Sequence, residues 1–189
     1  MNLKNCICII GLLACLISCS RENKQLVKDM TLLKSRPINL CLDKLELYEK
    51  GIRINDYNIN NKKYTQIVFF DSVTCSPCMW KHMYQWNPII DSTNFQTTNL
   101  SFVFIFHVKK ENKEKFIKAM QNDTIFSYPI YLDSTGVFLQ KNPTIPHNKL
   151  LHSFLLNRNN QVVLIGNILH NPHLRDMFNK IVSTMGSSK

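Results

Sequence analysis

Two apolar runs constrain this chain more than any other feature: Ile67-Val68-Phe69-Phe70, and Phe102 to Val108, which opens with five consecutive apolar residues. Runs of this kind lack the polar alternation of a half-solvated sheet, so they predict strands buried on both faces. Between them, Met79 to Ile90 predicts a helix that places Met79, Met83, Trp86 and Ile90 on related faces, with Pro88 kinking or ending it near its last turn. Lys110 to Gln121 predicts a charged amphipathic helix with Phe116, Ile117 and Met120 inward, followed by a short strand at Pro129 to Leu132. Beyond a loop holding Pro143 and Pro146, the segments Ser153 to Leu156 and Val162 to Ile165 read as a hairpin turned by Asn157-Arg158-Asn159-Asn160. Asn171-Pro172 opens a last helix with Leu174, Phe178 and Ile181 at i, i+4, i+7. The order β-α-β-α-β-β-α predicts an α/β fold, a central mixed sheet covered by helices on both faces, within one domain.

Upstream, Ile38, Leu40 and Leu42 alternate, as do Leu45 and Leu47, and Ile52 and Ile54 follow Gly51. Residues 38–55 therefore read as an N-terminal hairpin extension to a core over 64–184. Cys41 falls on the opposite phase and reads as an unpaired structural thiol.

The first residues point to export. One positive charge, Lys4, precedes an apolar run from Ile7 to Ile17, too short for a permanent span of about 20 residues. Its end, Leu16-Ile17-Ser18-Cys19, resembles the bacterial lipobox, which implies cleavage of residues 1–18 and lipid on Cys19. Residues 19–37, mostly polar and closed by Pro37, then read as a flexible tether to the membrane. The expected location is the cell envelope, with the domain outside the cytoplasm. Formal charge is +10, reduced by one when Lys4 leaves, and the excess of Lys and Arg is scattered. Nucleic acid is excluded as a partner outside the cytoplasm; the charge reads as solvated surface, with acidic partners or anionic lipid heads as the alternative. A monomer is expected.

Processing also simplifies the cysteines. Of seven, Cys6, Cys8 and Cys15 leave with the leader and Cys19 carries lipid, so Cys41, Cys75 and Cys78 remain. The motif Cys75-Ser76-Pro77-Cys78 lies between a predicted strand and a predicted helix. A thiolate is the species that attacks a disulfide, and unsatisfied N–H groups at a helix start stabilise one. Pro77 suits a first helical turn, and Cys78, three residues on, can close a disulfide back onto Cys75. Cys75 is thus the candidate nucleophile and Cys78 the resolving thiol. A purely structural disulfide is the competing reading. Zinc would need a second half-site, and no second CxxC exists. Cys75, Cys78, Met79 and His82 also form a soft-ligand group that a Cu(I)-binding chaperone would use. His107, His147, His152, His170 and His173 are dispersed and read as packing or surface residues. No cofactor and no resident metal are expected.

From the strand-CxxC-helix unit at 67–90, the hairpin from Ser153 to Ile165 and the terminal helix, residues 64–184 resemble the thioredoxin-like superfamily, and within it the exported TlpA/ResA-type oxidoreductases. The resemblance implies a thioredoxin-like fold and dithiol-disulfide exchange with proteins of the envelope. Three positions depart from the pattern. Thr74 stands where the family carries tryptophan, with Trp80 able to cover the same surface. Phe69 stands where thioredoxins hold a buried acid, and Asp71 nearby is given no proton-transfer role. Leu151 falls at the position of the substrate-aligning cis-proline, where a cis bond would cost about 2.5 to 4 kcal/mol, so it is expected trans. Pro146 is the alternative substrate-loop residue.

Overall fold

The computed structural model describes residues 23–57, 62–72, 75–91, 99–123 and 125–183. The leader, Cys19 and Thr74 lie outside them. Seven strands form one sheet: β1 (Glu46–Glu49), β2 (Ile52–Arg53), β3 (Tyr64–Phe70), β4 (Leu100–His107), β5 (Ile130–Asp133), β6 (Ser153–Asn157) and β7 (Val162–Ile165). Their order is β2-β1-β5-β4-β3-β6-β7. Strands β3, β4 and β5 run parallel, while β6 is antiparallel to β3, β7 to β6, β1 to β5 and β2 to β1. The sheet is mixed, as predicted.

Alternation divides the core in two. In β4, Phe102, Phe104 and Phe106 face one side and Val103 and Ile105 the other, and all five are buried. Each such side chain removed from water stabilises the fold by about 1.5–3 kcal/mol. Helices α2 (Ser76–Trp80), α3 (Asn87–Asp91), α4 (Lys113–Asn122) and α6 (Pro172–Ser183) cover the phenylalanine side through Trp80, Ile89, Phe116 and Phe178. The other side is covered by α1, over residues 23–34, and α5 (Val137–Lys141), through Leu33 and Phe138.

The tether expected over 19–37 is therefore corrected for its described part. Residues 23–34 are helical because Leu26, Met30 and Leu33 recur at i, i+4, i+7; Leu33 is fully buried against the second cluster and the other two are partly buried there. The N-terminal hairpin is real but shorter than 38–55. Only β1 and β2 pair, through a Lys50-Gly51 turn with φ of 50° and 74°. Residues Ile38 to Leu42 form no strand. Ile38 N donates to Asn160 O at 2.8 Å, and the Asn142 amide brackets Asn39, accepting from its N at 2.7 Å and donating to its O at 2.8 Å. These bonds replace a ladder. Cys41 is buried with a free thiol.

The helix predicted over Met79 to Ile90 is broken into α2, a 3-10 turn at Met83–Trp86, and α3. Its buried residues, Trp80, Met83, Trp86 and Ile89, are three apart, a spacing that three residues per turn keeps on one face and 3.6 does not. Pro88 sits in the first turn of α3, where its missing N–H costs nothing. The chain then crosses back to place β4 parallel to β3.

Candidate functional site

The dithiol turn is placed by β3, whose first six residues are all buried. Cys75 ends the connection from β3 and is the N-cap of α2, with extended backbone (φ −66°, ψ 95°); its carbonyl accepts the first helical bond from Met79 N at 2.9 Å. Pro77 lies in the first turn. Cys75 and Cys78 form a disulfide with Cα atoms 5.2 Å apart, and both residues are exposed. The turn stands at the carboxyl end of β3, where the order of the sheet reverses. The chain passes from β3 to β4 and β5 on one side and later to β6 and β7 on the other. Ligands of open α/β sheets bind at that kind of point.

A cavity of about 350 Å³ adjoins the disulfide. One wall is the turn itself with Ser72 and Lys81; the other is the segment after β4, through Val108, Lys109, Asn112 and Lys115. The sequence reading missed these lysines, because Lys109 and Lys115 sit more than thirty residues beyond the motif within a charge excess that looks scattered.

Trp80 does not cover the dithiol surface, which corrects that expectation: it is 2 % exposed, with its ring edge-on to Phe116 and Phe126, and its Nε1–H donates to Asp123 O at 3.3 Å. Phe69 is buried against Phe138 and His152, so no acid occupies that position. Asp71 pairs with Lys149 at 3.7 Å. Pro146 and Leu151 are both buried and neither lines the cavity; no peptide bond among the described residues is cis. The Pro146 carbonyl faces His152 Nε2 at 2.8 Å, which fixes the proton on that nitrogen in the neutral ring. Burial pushes the His152 pKa below its usual 6.5, against the opposing pull of the Pro146 carbonyl and Asp71. Burial likewise raises the Cys41 thiol, helped by Asp133 and Asp43, so that thiol stays protonated and inert. Among the described residues no group of three or more His, Cys, Asp or Glu could hold a metal ion, and no helix is long and apolar enough to cross a membrane.

The parallel β3-β4 pair, the antiparallel β6-β7 hairpin beside it and a CxxC turn closing on the end of β3 define a thioredoxin-like fold. No protein-family model matches the chain, and no curated protein does. Solved structures that resemble it include StoA from Bacillus subtilis (28 % identity, 64 % of this chain and 87 % of that one, TM-score 0.41). A thioredoxin-like protein from Porphyromonas gingivalis matches at 18 % identity, over 77 % of this chain and 93 % of that one, with TM-score 0.47. The thioredoxin domain of a thiol-disulfide oxidoreductase from Bacteroides vulgatus matches at 18 %, over 74 % and 92 %, with TM-score 0.45. At these scores the likenesses assign no activity to this chain.

Proposed function

We propose that this chain is a lipid-anchored thiol-disulfide oxidoreductase of the cell envelope that exchanges disulfides with exported proteins through Cys75 and Cys78. The observation that carries the reading is the exposed disulfide at the carboxyl end of β3, opening beside a cavity. A disulfide that only pins a loop has no need of exposure or of an adjoining cavity.

In the reducing direction the Cys75 thiolate attacks one sulfur of a substrate disulfide, forming a mixed disulfide and expelling the other sulfur as a thiolate. The Cys78 thiolate then attacks Cys75 Sγ, which closes the Cys75–Cys78 bond and releases the second substrate thiol. Two electrons pass to the substrate, and the dithiol's two protons end on its sulfurs; the oxidising direction reverses each step. The chain's own contribution is to hold the two sulfurs within bonding reach and to present Cys75 where N–H groups of α2 lack intrahelical acceptors.

The test is reduction of the full chain followed by alkylation at neutral pH and assay with disulfide-bonded insulin. The proposal expects selective modification of Cys75, insulin reduction, and a trapped mixed disulfide with Cys78→Ser. Absence of exchange leaves a structural disulfide. The anchor is supported by Lys4, the Ile7 to Ile17 run and Leu16-Ile17-Ser18-Cys19. Labelled fatty acid should enter the wild-type chain and not Cys19→Ser.

A further inference from the structure

We infer that the substrate segment this site takes is acidic, a polypeptide with Asp or Glu beside the cysteine it exchanges; the inference rests on the redox reading of the dithiol. The cavity beside the disulfide carries Lys81, Lys109 and Lys115 and no carboxylate among its described lining residues. Lys81 is the C-cap residue of α2, three positions past Cys78, and the other two belong to the segment after β4. All three are exposed.

Neighbouring lysines show what an engaged one looks like. Lys113, on the same helix as Lys115, contacts Glu46 at 2.6 Å, and Lys149 contacts Asp71 at 3.7 Å. Among the described residues, no ion pair engages Lys81, Lys109 or Lys115. Glu111 and Glu114 lie close in sequence and do not line the cavity. Three like charges around one concavity concentrate the field there and attract anions, raising association rates tenfold or more where complementarity is good. Because they come from two separate elements, a ligand that meets all three spans the width of the groove, as an extended acidic peptide does. Three charges that look scattered along the sequence thus converge beside the sulfurs.

The test uses the full chain, reduced, and three synthetic disulfide-linked peptides identical except for acidic, neutral or basic residues flanking the cysteine. At low salt the acidic peptide should exchange about tenfold faster than the basic one, with the gap closing near 1 M salt, where the screening length falls to about 3 Å. A Lys81→Glu, Lys109→Glu, Lys115→Glu variant should reverse the order. The wild-type salt series tests the inference without depending on that variant's folding. Equal rates for acidic and basic peptides, with the neutral one exchanging readily, would overturn the inference and leave the redox reading standing. Inertness toward all three would remove both.

Discussion

Asp133→Ala should cost this domain about 3 kcal/mol, because one buried carboxylate holds the start of an entire element. Asp133, the last residue of β5, is 1 % exposed. Its Oδ1 accepts from Thr135 N at 3.1 Å, Thr135 Oγ1 at 3.3 Å, Gly136 N at 2.8 Å and Val137 N at 3.1 Å, and its Oδ2 accepts from Phe138 N at 2.9 Å. Gly136, Val137 and Phe138 begin α5, and their N–H groups have no intrahelical acceptor. The bonds to Gly136 and Phe138 are buried, and each orphaned donor costs about 1–3 kcal/mol, part of which water entering the space left by alanine recovers. Asp133→Asn keeps one acceptor oxygen and turns an amide N–H₂ toward a donor, so it should lose about 1–2 kcal/mol. Urea unfolding of the two variants gives both differences directly, and for a domain of this size 3 kcal/mol corresponds to a fall in Tm of about 6–12 °C. A loss under about 0.5 kcal/mol in Asp133→Ala, the range of neutral surface changes, would refute the argument.

Three further changes test other parts of the structure. Gly51→Ala should destabilise by about 1–2 kcal/mol in thermal unfolding, since its φ of 74° is left-handed and a Cβ would lie 2.5 Å from Gln121 Cγ. Phe106→Ala should cost about 3–5 kcal/mol in urea unfolding, as the fully buried ring stacks on Phe70 at 4.3 Å and meets Phe116 at 4.9 Å. His152 supplies a pH dependence: its folded pKa is depressed, so the unfolded chain binds the proton first, and the stability present above pH 6.5 is lost as pH falls from there through the folded value. His152→Gln should flatten the stability profile below pH 6.5; an unchanged slope would show that the ring is solvated.

What could be read from the residues follows from how each element is stabilised. Strands β3, β4 and β6 are buried on both faces and β7 nearly so, and their apolar runs announce them, with boundaries that differ from the observed ones by three residues at most. Helix α1 has a stripe of three apolar residues in a polar stretch, and its order depends on the distant surface that Leu33 enters. Composition alone therefore reads as a tether. Helix α5 is five residues long and depends on the Asp133 carboxylate more than on any periodicity of Val137-Phe138-Leu139-Gln140-Lys141. At the site, Cys75 and Cys78 were legible because three-residue spacing is local chemistry. The lysine cluster was not, because a crossover and strand β4 bring Lys109 and Lys115 to the sulfurs and to Lys81. Thr74 lies outside the described residues, and the tryptophan thought able to replace its family counterpart, Trp80, turns into the core.

The reduction potential of the Cys75–Cys78 bond decides whether it is a working couple or a structural bond. Equilibrating the chain against dithiol buffers of known potential, with the reduced fraction read by alkylation, should give a reversible two-electron transition with a midpoint above about −300 mV. A bond that stays oxidised below about −300 mV would be a structural disulfide, and Cys75 would then have no catalytic role.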